Sequence, residues 1–197
     1  MTPLGDRIAR LIAASGPIGV ADYMSTCLFD PQHGYYTTRE PFGREGDFIT
    51  APEVSQMFGE LVAVWLVTAW QAAGSPLPVT VAEIGPGRGT LMKDMVRTIR
   101  QLAPGLAAGA NFALVEASPR LAAIQGKTLE GTGPAFSWHE TVETLPDQAL
   151  LIVGNEIFDA LPFRQFVRTA NGWRERVVDL DGGRRFRFAA GETALPD

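Results

Sequence analysis

Hydrophobic positions along the chain follow two periods. Leu4, Ile8, Leu11 and Ile12 recur at helical spacing behind Thr2 as a cap and Pro3 in the first turn. They predict a first helix that breaks at Gly16-Pro17, and a second helical stretch runs from about Val20 to Phe29 and stops before Pro31. The longest stripe is Val54, Met57, Phe58, Leu61, Val62, Trp65, Leu66, Ala69 and Trp70. Thr50-Ala51-Pro52-Glu53 ahead of it fits a capping box, so one helix is expected from Thr50 to a stop at Gly74, with Trp65 and Trp70 in the core. Residues 79–84 then read as a buried strand, 112–116 as a second, 135–138 as a weak third and 149–153 as a strong fourth. Helical patterns at 90–102 and 119–129 separate the first three, and Pro104-Gly105 is expected to end the helix before it. Past residue 162 the period changes. Segments 163–170 and 173–180 flank Asn171-Gly172, a hairpin signal, and Asp181-Gly182-Gly183 turns into 184–188. The alternation predicts an α/β fold with a mostly parallel, doubly wound sheet, followed by an antiparallel β meander.

Composition narrows the classes of function. The 197 residues, 46% of them hydrophobic, suffice for one domain with a small appendage. Seventeen Lys+Arg against 22 Asp+Glu leave a net charge of -5, which argues against nonspecific nucleic-acid binding. Cys27 is the only cysteine, and His33 and His139 are the only histidines. A disulfide framework is therefore excluded, and no metal site is expected. No apolar run approaches the ~20 residues that span a bilayer, so no membrane insertion is expected. The first residues lack the pattern of a secretory signal. The expected setting is a bacterial cytoplasm, or a mitochondrial matrix if the source is eukaryotic.

Chemistry is expected at the strand ends. Glu83-Ile84-Gly85-Pro86-Gly87-Arg88-Gly89 joins a strand to a helix, where glycines let backbone approach a ligand and helix N–H groups face it. Thr90 stands where a dinucleotide fingerprint would carry its last glycine, and Pro86 removes a donor that would face a pyrophosphate. Glu116 ends the next strand, a place from which a carboxylate can accept both hydrogen bonds of a ribose diol. NAD enzymes and S-adenosyl-L-methionine (SAM) methyltransferases share that device. After the fourth strand come Asn155, Glu156 and Asp159, where two carboxylates could orient a cationic group. Residues 30–49 form a long loop rich in Gly, Pro and aromatics, with Tyr35, Tyr36 and Phe42 as anchors.

Four ordered motifs carry a resemblance: Tyr23 to Glu60, then EIGPGRGTLMKDM, LVEASPRL and NEIFDALPFRQF. Together they resemble the MidA-like family of class I SAM-dependent methyltransferases, over nearly the whole chain to about Leu180. That family includes a mitochondrial complex I assembly factor that acts as a protein arginine methyltransferase. The resemblance implies a Rossmann-like core behind a helical N-terminal segment, with a helical part at 1–75, a SAM-binding core at 76–162 and the meander at 163–197. It also implies a fold truncated relative to the family, whose complete core has seven strands. The turn with Glu83, Gly85, Pro86, Gly87 and Gly89 would hold the methionine part of SAM. Glu116, with Ala117 beside it, would take the ribose, and Trp138 and His139 would flank the adenine. Asn155 would also face the cofactor, and the segment from Gly46 to Glu53, Thr50 included, would close over it. Glu156 and Asp159 would be catalytic, gripping the guanidinium of an arginine on a protein substrate such as a respiratory complex I subunit or its bacterial counterpart. Two rival readings use the same features: a noncatalytic assembly protein with a vestigial SAM site, and an NAD-type oxidoreductase. Oligomeric state is not legible.

Overall fold

The computed structural model describes residues 2–38, 50–182 and 185–194. The chain divides into two compact units, one made of Met1–Glu40 with Phe158–Asp197 and the other of Pro41–Ile157. We call them the terminal and the middle unit.

The terminal unit opens with α1 (Pro3–Ser15), in which Thr2 Oγ1 accepts the Gly5 N–H at 3.1 Å. Then come β1 (Ile18–Gly19), α2 (Val20–Phe29) and the single turn α3 (Tyr35–Thr38). The expected long loop is thus partly ordered by Asp30. Its carboxylate accepts the N–H groups of Gln32 and His33 at 3.0 and 2.9 Å and pairs with Arg7. Phe42 and Gly46 to Ile49 lie outside the described residues.

In the middle unit α4 (Ala51–Val54) and α5 (Gln56–Ala72) precede β2 (Val79–Ile84), α6 (Thr90–Leu102) and α7 (Pro104–Gly109). Then follow β3 (Ala110–Val115), α8 (Pro119–Leu129), β4 (Phe136–His139) and β5 (Ala149–Gly154). The four strands form a parallel sheet in the order β4-β3-β2-β5. The register aligns their carboxyl ends, with Ile84 beside Val115 and Gly154, and Val115 beside His139. Strand order reverses between β2 and β5, which is where open α/β sheets bind ligands. Phe112, Leu114, Val79 and Val81 pack with Leu91, Met92, Met95, Val96 and Ile99 of α6 to form the core.

Two sequence expectations need correction here. The helix expected to run from Thr50 is two helices, because Ser55 is extended, with φ -147° and ψ 121°. Ser55 Oγ caps α5 by accepting the Met57 N–H at 3.2 Å, while Thr50 makes no side-chain cap bond. The apolar stripe also divides: Leu66 and Trp70 are buried, but Val54, Met57, Leu61 and Trp65 are each more than 60% exposed. Trp65 therefore lies on the surface, not in the core. A smaller difference follows Leu102, where Pro104 starts the short α7 in addition to ending α6; proline suits a first helical position.

The chain returns to the terminal unit with β6 (Phe166–Thr169), β7 (Gly172–Leu180) and β8 (Phe186–Ala194). β7 pairs antiparallel with β6 and β8, which gives the expected meander around Asn171-Gly172. It also pairs with β1, through Ile18 opposite Val178. Two residues carry no readable period, so β1 has no signature in the sequence. Val178 joins Ile8, Ile12 and Val20 in the core of this unit. Among the described residues no helix is long and apolar enough to cross a membrane.

Candidate functional site

The glycine turn follows β2 directly. Gly85 has φ +62°, a conformation that favours glycine, and a Cβ there would lie 2.4 Å from Ile157 Cδ1 and displace the end of that side chain. The Gly85 N–H donates to Val115 O at 3.1 Å, and the Gly89 N–H closes the turn on Pro86 O at 2.7 Å. Gly89, left-handed at φ +84°, is the N-cap of α6 and offers no side chain to its free N–H groups. Glu83 partly supplies that need, since its carboxylate accepts the Met92 N–H in the first turn of α6. Glu83 is buried, its Oε2 has no hydrogen-bond partner among the described residues, and desolvation pushes its pKa up to about 8. The turn is braced from outside by α4. Glu53 Oε1 accepts from Thr90 Oγ1 at 2.7 Å, and Glu53 Oε2 lies 3.8 Å from the Arg88 guanidinium. This contact replaces the capping-box bond expected of Glu53. Thr50 stands at the start of the same short helix.

Glu116 follows the last residue of β3. Its backbone N–H donates to His139 O at 2.8 Å, which carries the sheet ladder one residue further. Its side chain is fixed on both oxygens: Oε1 accepts the Ser118 N–H at 2.8 Å and Oε2 accepts from Gln125 Nε2 at 3.0 Å. Burial raises its pKa, and these two bonds oppose the rise. Ala117 next to it is exposed. Trp138 donates its indole N–H to Gln125 Oε1 at 2.9 Å. The His139 ring spends its nitrogens on Thr144 and Ser137, at 3.0 and 3.1 Å.

Asn155 and Glu156 leave the end of β5, beside the turn that ends β2. Glu156 is exposed and holds φ +50°, a left-handed conformation uncommon outside glycine and often a mark of function. Asp159 belongs to the terminal unit. There its charge adds to burial in raising the Tyr36 phenol, and Tyr36 stacks on Phe29 with centroids 5.8 Å apart.

The structure thus brings Glu83, Gly85, Pro86, Gly87, Gly89, Glu116, Ala117, Trp138, His139, Asn155 and Glu156 to the carboxyl-end side of one sheet. Sequence reading missed Gln125. The signal was there: Leu121, Gln125 and Leu129 recur every four residues and are all buried, so an amide occupies the apolar face of α8.

A parallel sheet with a glycine turn at its switch point and a carboxylate at the next strand end defines a Rossmann-like, nucleoside-binding α/β protein. The turn that a Cβ would fill and the fixed Glu116 carboxylate fit a ribose-bearing ligand held close to backbone. Comparison with known proteins makes this specific. Residues 61–197 match the model of a family described as "Putative S-adenosyl-L-methionine-dependent methyltransferase", and the chain belongs to that family. Over 194 residues it is 41% identical to the Danio rerio protein arginine methyltransferase NDUFAF7, mitochondrial, covering 88% of this chain and 46% of that protein. The Homo sapiens protein of that name is 36% identical, over 100% of this chain and 50% of the relative. A crystal structure from Burkholderia thailandensis, described as a "likely methyl transferase" bound to S-adenosyl-homocysteine, superposes with TM-score 0.79 at 32% identity. It covers 98% of this chain and 50% of its own. The chain spans about half the length of the relatives it matches.

Proposed function

We propose that the protein carrying this chain binds SAM and methylates an arginine side chain of a protein substrate. One observation carries this reading: the glycine turn, the fixed Glu116 and the left-handed Glu156 follow the aligned ends of β2, β3 and β5. The names of the relatives support arginine as the acceptor. A respiratory complex I subunit, or its bacterial counterpart, is the substrate implied by the family resemblance. The relatives' names also support a mitochondrial setting in a eukaryote, and the bacterial cytoplasm is its counterpart.

When bound, SAM supplies an electrophilic methyl group on a sulfonium sulfur. The turn from Gly85 to Gly89, with Pro86 and Gly87 inside it, would hold its methionine part, Glu83 and Asn155 would line that end, and Glu116 and Ala117 would take the ribose. Trp138 and His139 would flank the adenine, and Thr50 would belong to the segment that covers the site. The acceptor is the harder problem, because a guanidinium with a pKa above ~12 is a poor nucleophile. Glu156 would grip it by charge-assisted hydrogen bonds, draw its positive charge toward two of its nitrogens and leave the third with an available lone pair, and Asp159 is a separate acidic candidate for that task. A carboxylate oxygen of Glu156 would take the proton that the nitrogen gives up on accepting the methyl group and pass it to water. Placement is the main contribution of the residues.

The test is transfer of labelled methyl from SAM to arginine-containing protein, read by mass spectrometry at the modified side chain. Glu156→Gln is expected to lower turnover about a hundredfold, with S-adenosyl-homocysteine affinity within about twofold of the parent. Full turnover in both Glu156→Gln and Asp159→Asn would remove these two residues from the mechanism. Methyl appearing only on other acceptors would overturn the arginine reading.

A further inference from the structure

Gln125 is fully buried in the middle of α8, and each polar group it carries is spent on a different part of the nucleoside site. Its amide nitrogen donates to Gly87 O in the glycine turn and to Glu116 Oε2, both at 3.0 Å. Its amide oxygen accepts the Trp138 indole N–H at 2.9 Å. The orientation of the amide follows from these partners. Turned over, it would set its oxygen against a carbonyl and a carboxylate, and its NH2 against an indole N–H. The close approach of α8 is built in as well, since a Cβ at Gly89 would already lie 3.4 Å from Gln125 Cα.

We propose that Gln125 is a positioning residue for the cofactor. It acts through Glu116, by fixing the carboxylate's rotamer while tying it to the turn and to the indole that flank it. The inference rests on the SAM-binding reading of this site. Nothing about residue 125 touching ligand is required. Glu116 is a short side chain at a strand end with two oxygens to place. Ser118 fixes one oxygen from the same loop, and Gln125 fixes the other from the next helix. Without that bond the second oxygen must be ordered when the ligand binds, and the expected weakening of about tenfold corresponds to about 1.4 kcal/mol.

The experiment is calorimetric titration of the intact protein with two probes, S-adenosyl-homocysteine and its 2′,3′-dideoxyribose analogue. Gln125→Met is expected to weaken S-adenosyl-homocysteine at least about tenfold and the analogue less than about threefold, because the analogue has no diol for Glu116 to hold. Gln125→Met combined with Glu116→Ala is expected to bind no more weakly than Glu116→Ala alone. Gln125→Leu, apolar and of similar volume, serves if the methionine variant does not fold, with the same selective loss expected. Equal weakening of both probes, or losses that add to that of Glu116→Ala, would make Gln125 a packing residue and overturn the proposal. A folded parent protein that ignores S-adenosyl-homocysteine would overturn the SAM reading itself, and the proposal with it.

Discussion

A carboxyl group buried without a full set of partners links ligand chemistry to stability, and Glu83 is such a group. It lies under the first turn of α6, accepts the Met92 N–H, and leaves Oε2 with no partner among the described residues. Burial raises its pKa from the ordinary carboxylate value to about 8. The folded chain therefore holds a proton between those limits that the unfolded chain has released, and stability falls as pH rises through that window. The slope is at most about 1.4 kcal/mol per pH unit from this one group. Glu83→Gln is expected to flatten the fall, so that urea unfolding of the variant between pH 5 and 8 gives midpoints nearly independent of this titration. An unchanged slope in the variant would show that Glu83 is ionised and solvated in the native state. At the same scale, Gly85 and Glu116 were readable because residue type and position together name the chemistry. The partners of Glu116 were not. Ser118 and Gln125 reach it through turns of the chain that only three-dimensional packing discloses, even though Gln125 marks itself as a polar break in an apolar face.

Elements show where periodicity holds and where it stops. The strands β2 and β3 were legible because a parallel strand covered on its faces is a short apolar run between turn signals, and β5 shows the same run although Leu150 and Ile152 are exposed. The break between α4 and α5 was not, because Thr50 and Ser55 are both good N-caps and the apolar stripe runs across both. The backbone settles the choice at Ser55, which frees Glu53 to bond Thr90. A paired measurement follows. Ser55→Ala is expected to cost about 1 kcal/mol in denaturant unfolding, and Thr50→Ala only a few tenths of that. The reverse order would place the true helix start at Thr50 and return Glu53 to the capping box. The exposed half of the α5 stripe carries a related lesson. A 3.6-residue repeat establishes that apolar side chains share a face, but not that the face is covered.

At the scale of the whole molecule the chain assembles its two units in different ways. The middle unit is mostly local: β3 and β4 each lie beside the strand before them, and only the passage to β5 crosses the sheet, to the far side of β2. The terminal unit joins both ends of the described chain, with β1 laid against β7. No local pattern announces such a pairing, which is why the meander was expected but its first partner was not. Apart from Asp159, the proposed SAM and acceptor residues lie in the middle unit, and that division predicts a map. Binding of S-adenosyl-homocysteine at about 100 times its dissociation constant stabilises the bound form by about 2.7 kcal/mol, which slows amide exchange about a hundredfold where opening releases the ligand. Protection is expected across 85–93 and 116–126, where the turn, Glu116 and Gln125 are tied together. Exchange within β6 and β7 at 166–180 is expected to stay unchanged, because these strands draw their bonds from one another. Equal protection of both regions would mean that ligand binding and the meander open as one cooperative unit. Protection of the meander alone would remove the glycine turn from the binding site.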